Sequence, residues 1–258
     1  GHNTDRLEEL PGLLLMVPAA IALRGNIFGA LGSRLGTAIH AGTFRLTLRP
    51  SSVVGENVLA SLLLTLGTSV ALAVLAKGAA LVFGVAGSIG LADFIMISVV
   101  GGLLASAAVL VTALGLTSGS VRFGWDPDNV TAPLVTAVGD VATVPALVLA
   151  STLVGQQWPV LSVKAVSVMA IPIAVFAVIG AGRPGLKTIL RESTPVLIIG
   201  ILLDLVAGVT VERQLEAFAL FPALLVMLPA FLAVAGAIGG TLSSRLANQL
   251  HLGTIAPN

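Results

Sequence analysis

The sequence predicts an all-α, polytopic transmembrane protein of about seven membrane helices, and three observations carry that prediction. Charged residues make up 10% of the 258 residues, against about 25% in a soluble domain. Hydrophobic residues make up 56% and the mean hydropathy is +1.05. The apolar runs also have the length a bilayer demands. A hydrocarbon core of about 30 Å and a helical rise of about 1.5 Å per residue set a span near 20 residues. The chain holds roughly seven or eight of these. A soluble enzyme, a nucleic-acid binder and a disordered chain are thereby excluded. The partner predicted by composition is membrane lipid. The net charge is +1 and there is no basic tract, so nucleic acid is not a partner. The chain has no cysteine, which removes disulfides, thiolate metal sites and thiol nucleophiles. The histidines, His2, His40 and His251, are scattered, and no HExxH occurs.

Apolar runs and breakers delimit the helices. The first predicted helix covers about Leu13 to His40, with Pro18 early and Gly25, Gly29, Gly32 and Gly36 along it. The second covers about Val53 to Val85, tilted or broken near Lys77-Gly78. The third covers about Leu91 to Leu116. The fourth starts at Pro127, with Asp126 as N-cap and proline where its missing N–H costs nothing, and ends near Val154. The fifth covers about Val160 to Ile179, and the breakers of Gly182-Arg183-Pro184-Gly185 follow as a loop. The sixth covers about Thr194 to Val209, the seventh about Phe218 to Leu250. Trp125 and Trp158 fall at helix ends, where an aromatic belt sits.

Basic residues distribute unequally. The side holding Arg45, Arg49, Arg122, Arg183, Lys187 and Arg191 outweighs the side holding Arg6 and Arg213, with Lys164 near a helix start. The positive-inside rule places the richer side in the cytoplasm. The chain then starts outside, in a cytoplasmic (plasma) membrane.

The strongest signal is an internal repeat. Residues 13–43 match residues 224–254 at an offset of 211 without a gap, with 16 of 31 positions identical. The match includes Gly25/Gly236, Gly29/Gly240, Ser33-Arg34-Leu35/Ser244-Arg245-Leu246 and His40/His251. Six crossings separate the copies, so the repeat is parallel, with a pseudo-two-fold axis along the membrane normal. Three segments result: residues 1–156 carry four helices of one unit, 157–185 a connecting transmembrane helix, and 186–258 the first two helices of a second unit. The expectation is a dimer, or a fragment whose remaining second-unit helices lie elsewhere.

Ionisable groups inside spans cost about 2.5–3.5 kcal/mol even on the lowest scales and are usually functional. Asp140 lies near the middle of the fourth helix, Asp204 near the middle of the sixth, and Arg24 in the first, just before Gly25-Asn26. Arg24 has the alternative of a structural ion pair with Asp140 or Asp204. Around Asp140 the sequence reads Asp126-Pro127-Asp128-Asn129…Pro133…Thr136…Gly139-Asp140. Pro133 cannot donate and disturbs the carbonyl one turn earlier. Asn129, Ala132, Thr136 and Asp140 recur on one helical face. The result is a stripe of oxygen ending in a carboxylate, which suits a hard cation such as magnesium. The plainer reading is an N-cap acid followed by an ordinary membrane proline.

These residues resemble a known family. Pro18 to Leu35 is similar to the second helix of the MgtE-type magnesium transporters, and closer still to their solute-carrier relatives with two fused copies. The Asp126 to Asp140 segment resembles the family's last pore helix, and Asp204 with Ala207-Gly208 its first helix. The resemblance implies a pore between two five-helix units, and a transported Mg2+ bound in hydrated form at Asp140. Thr136 and Ala132 would assist, and Gly25 and Asn26 would face the same pathway. Residues 1–156 then correspond to helices two to five of a first unit. Asn129 completes the proposed metal set, with Asp204, Arg24, Asp126 and Asp128 as accessory residues. The second copy departs from the pattern: it has Ala235-Gly236-Ala237 where the first has Arg24-Gly25-Asn26.

Divalent-cation transport is therefore the favoured, non-enzymatic function. The competing readings are an ion-coupled transporter of another solute, an intramembrane aspartyl protease using two membrane aspartates, and a structural membrane subunit. The protease reading is weakened because Ala137 stands where a GxGD motif needs its first glycine.

Overall fold

A computed structural model describes residues 12–85, 87–154, 183–213 and 222–255. All the regular structure among them is helical: α1 (Leu13–His40), α2 (Val53–Val82), α3 (Leu91–Phe123), α4 (Pro127–Ser151), α5 (Pro184–Arg213) and α6 (Pro222–His251). Five of these, α1 to α5, have the length and apolarity to cross a membrane. The predicted connecting helix near Val160 to Ile179 lies outside the described residues, as do Arg6, Trp158 and Lys164.

Local chemistry sets the helix ends. Ser52 accepts a hydrogen bond from the Gly55 N–H at 3.0 Å and caps α2. Asp126 accepts from the Asp128 N–H at 3.0 Å, with Pro127 in the first turn of α4. Gly124 ends α3 at φ 70°, a left-handed conformation that glycine adopts without steric cost. Arg183-Pro184-Gly185 proves to be a helix start: Pro184 opens α5, and the Glu56 carboxylate of α2 accepts the Leu186 N–H at 2.7 Å. A methyl group on Gly185 would lie 2.8 Å from that carboxylate, so this cap needs glycine.

Two expectations need correction. Helix α2 is continuous through Lys77-Gly78. A lone glycine keeps its N–H in the helical ladder, and Lys77 spends its charge elsewhere: Nζ donates to Ser88 Oγ at 2.7 Å and to the Ile89 carbonyl at 2.9 Å. Helices α3 and α5 also run past their predicted limits, to Phe123 and from Pro184 to Arg213. Polar residues in a terminal turn do not stop a helix whose backbone bonds are intact. At 30 residues, α5 is about 45 Å long and extends beyond the hydrocarbon core.

Helix α1 is the hub and packs against each of the other five. Leu23, Ile27, Phe28, Leu31 and Leu35 are buried along it. With lipid as solvent, such packing depends on close approach rather than on expulsion of water. Glycine supplies the approach at Gly208 of α5, where a methyl group would sit 2.6 Å from the Leu15 carbonyl oxygen. Gly101 of α3 similarly admits Leu147 of α4.

Candidate functional site

Helices α1, α4 and α6 meet along one groove, and Thr136 marks its middle. A methyl group built on Gly25 would lie 3.3 Å from Thr136 Cγ2, and one on Gly29 would lie 3.8 Å from Thr136 Oγ1. From the other side, a methyl group on Gly236 would lie 3.7 Å from the same Cγ2. Gly25 and Gly236 are the repeat-equivalent residues, so one threonine of α4 sits between equivalent points of both copies. Thr37 of α1 donates to Asn248 Oδ1 of α6, and these two are also 211 residues apart. Two such pairs at two levels show that α1 and α6 run past α4 in the same direction.

Asp140 lies on α4 one turn beyond Thr136 and is half-buried. The preceding Gly139 packs against the Arg24-Gly25 backbone, where a methyl group would be 3.6 Å from the Gly25 nitrogen. Asp140 stands about 18 Å along the helix from Asp128, deep within the span. Ala132 lies in α4 between Asn129 and Thr136, and its side chain is outside those described. The predicted oxygen stripe thus turns its Asn129 and Thr136 toward α1 and α6.

At the end of the groove where α1 terminates, the Asp126-Pro127-Asp128-Asn129 turn meets the last turns of α1 and α6. Asp128 is buried and accepts from Ser244 Oγ at 2.8 Å and from Asn248 Nδ2 at 2.6 and 2.7 Å. His40 Nε2 lies 3.6 Å from Asp128 Oδ2. Asn129 accepts from Arg245 Nη2 at 2.5 Å and donates to Asp126 Oδ2 at 2.8 Å. The Arg245 guanidinium is also 4.0 Å from Asp126. A methyl group on Gly36 would lie 3.2 Å from Asp128 Oδ1, so α1 approaches this carboxylate closely. His40, Asp126 and Asp128 offer ligand atoms within 4.8 Å of one another. The histidines are therefore not all isolated: helix α1 carries His40 to two carboxylates that are 86 and 88 positions away in sequence.

The remaining candidates point elsewhere. Asn26 faces α5, where a methyl group on Gly200 would lie 3.9 Å from its Nδ2. Asp204 is one turn from both Gly200 and Gly208, on the face of α5 that packs on α1. Arg24 forms no ion pair with Asp140 or Asp204 among the described residues. It is fully buried, and its Nη2 donates to Ser69 Oγ of α2 at 3.1 Å. Among the described residues, Nε and Nη1 have no hydrogen-bond partner. Gly102 of α3 leaves the space for the guanidinium, since a methyl group there would collide with Arg24 Nη2 and lie 2.6 Å from Ser69 Oγ. The side chain runs behind α1, away from the groove. No motif or mid-span charge in the sequence marks Thr37, Ser244 or Asn248 for chemistry. The departure of Asn248 from its repeat mate Thr37 was the available signal.

Five apolar helices long enough to span a bilayer define an integral membrane protein. A family model described as MgtE, divalent cation transporter, matches residues 17–150. The chain belongs to that family. It is 24% identical over 253 residues to solute carrier family 41 member 3 of Rattus norvegicus, covering 95% of this chain and 53% of the relative. It is 26% identical over 267 residues to solute carrier family 41 member 2 of Xenopus laevis, covering 98% and 46%. The corresponding figures for member 2 of Gallus gallus are 25% over 268 residues, 98% and 45%. The chain thus spans about half the length of the curated relatives it matches. No solved structure gives a significant match.

Proposed function

We propose that this chain forms part of a magnesium transporter and that the ion passes along the groove between α1, α4 and α6. The observation that carries the reading is the placement of Thr136 between Gly25 and Gly236. Glycines open both walls at this level, Gly25 and Gly236 beside the Thr136 methyl group and Gly29 nearest its hydroxyl. Asp140, one turn deeper, supplies the charge that offsets loss of water from the ion. Magnesium dehydrates reluctantly and is usually held by one or two carboxylates and several retained waters. A single carboxylate with hydroxyl and carbonyl oxygens suits it, and the absence of cysteine disfavours softer metals. Thr136 and the Ala132 carbonyl assist, Gly25 lines the groove, and Asn129 and Asn26 lie at its margins. Asp204 and Arg24 position α5 and α1.

A second unit completes the pore. Phe231, Val234, Ile238, Leu242 and Leu246 of α6 are 45–69% exposed. Their repeat mates on α1, Ala20, Leu23, Ile27, Leu31 and Leu35, are 2% exposed or less. The mates are buried by helices of the first unit. Helices related to α2–α4 would cover α6 in the same way. On this reading residues 1–156 and 186–258 belong to two units joined by a connecting helix at 157–185. The protein lies in the plasma membrane, with the His40 end of α1 in the cytoplasm, as the basic residues indicate.

The test is Asp140→Ala in the full-length protein, expressed in a magnesium-auxotrophic host. Growth rescue is expected to be lost while the membrane level of the protein stays normal. Undiminished rescue by that variant would overturn the assignment.

A further inference from the structure

We propose that Asp128 is the latch of a gate at the end of the groove where α1 and α6 terminate, with Ser244 and Asn248 as its catch. The inference rests on the reading that the groove conducts an ion. All the direct contacts described for the Asp128 carboxylate reach side chains of the two repeat-related helices. Ser244 and Asn248 of α6 donate to it, and Thr37 of α1 donates in turn to Asn248 Oδ1. Helix α4 is thereby tied to α6, and α6 to α1, at one level. Asp128, Ser244 and Asn248 are all buried, so the three helices close on one another here.

The same helices surround Thr136, about 12 Å along α4. An ion leaving Asp140 toward this end must pass between them. The plug is polar and hydrogen-bonded, not apolar. Water or a hydrated cation can replace the hydroxyl and amide donors one for one, so opening strands no group. The geometry also allots the charges. Arg245 is occupied by Asn129 and Asp126, which leaves neutral donors and His40 around Asp128. Once Ser244 and Asn248 withdraw, the carboxylate that closed the groove becomes an anionic lining for the departing cation. Side chains from two repeat copies meet on one acid, so relative movement of the two units breaks the latch without unfolding either.

The experiment uses the full-length protein in proteoliposomes, with any cysteine outside these residues replaced. Thr136→Cys serves as the reporter, read by its rate of modification by a membrane-impermeant thiol reagent added from the His40 side. Magnesium influx is read in parallel with a trapped fluorescent indicator, in the Thr136 background. Adding Ser244→Ala and Asn248→Ala together is expected to raise the labelling rate at least tenfold and the magnesium flux several-fold. Asp128→Asn is expected to raise the labelling rate likewise. If the double variant does not assemble, each single alanine should show the effect in smaller measure. Unchanged labelling in all of these variants would overturn the latch, whatever the flux. Loss of flux in Asp128→Asn with unchanged labelling in the alanine variants would also overturn it and make Asp128 an ion ligand. Faster labelling in a protein that carries no magnesium at all would uphold the latch and overturn the magnesium reading instead.

Discussion

Gly208 of α5 and Gly78 of α2 are both helix-interior glycines, and the structure predicts opposite fates for the same alanine substitution. A methyl group on Gly208 would lie 2.6 Å from the Leu15 carbonyl oxygen and 3.4 Å from Leu15 Cα. A carbon–oxygen contact needs about 3.3 Å, so the shortfall is about 0.7 Å. The obstacle is backbone, and no rotamer change relieves it. Helix α5 must move away from α1, and a gap of that size forfeits a quarter to a half of each dispersion contact across the interface. Overpacking of this kind costs about 1–3 kcal/mol. Little is recovered from helix propensity, because a bilayer keeps the unfolded chain helical. At Gly78 nothing lies within 4 Å of the added methyl group, so its alanine variant should be neutral. We expect Gly208→Ala to lose about 2 kcal/mol relative to Gly78→Ala, about a thirtyfold change in the unfolding equilibrium. Reversible denaturant unfolding in mixed micelles measures it. Equal stability of the two variants would refute the close approach of α5 to α1, and with it the placement of Gly200 and Asp204 on the face of α5 that packs on α1.

Arg24→Met should change stability by less than about 1.5 kcal/mol, because the lost hydrogen bond to Ser69 is offset by removal of a membrane-buried cation. Ser69→Ala should be the worse variant, since it leaves that cation with no acceptor among the described residues; the reverse order in an unfolding titration would contradict the placement. Gly25→Ala places its methyl 3.3 Å from Thr136, inside the preferred 3.5–4.0 Å carbon contact, whereas Gly236→Ala places it at 3.7 Å. Magnesium flux should fall several-fold in the first and remain near wild type in the second, and equal effects would argue against the asymmetry of the groove. Ser52→Ala should destabilise α2 by about 1 kcal/mol through loss of its cap on the Gly55 N–H, seen as a lower unfolding midpoint; an unchanged midpoint would dismiss the cap.

Helix α1 was legible to the residue at both ends, because Gly12 and the Gly42 turn bracket a continuous apolar run. Asp126-Pro127 likewise announced the start of α4, since capping is decided by neighbours in sequence. The ends of α3 and α5 were not legible, because a terminal polar turn is helical or not according to what lies beside it. The Glu56 cap on α5 comes from a residue 130 positions away. The direction of Arg24 shows the same limit. Its position mid-span marked it as costly, but only packing decided between the acids of α4 and α5 and the serine of α2. What determined Arg24's course was a missing methyl group on Gly102, which no inspection of residue 24 reveals.

By itself, then, the sequence determined the solvent, the all-helical class and the family. Each follows from composition or from matches along the chain, and a bilayer leaves a long apolar segment little choice but a helix. Tertiary structure alone decided which oxygens share a groove. It placed Thr136 between two glycines 211 residues apart, turned Asn129 to Arg245, and closed Asp128 onto Ser244 and Asn248. The reason is geometric: side-chain convergence depends on the rotation and separation of packed helices, and those are set by small residues on several helices at once.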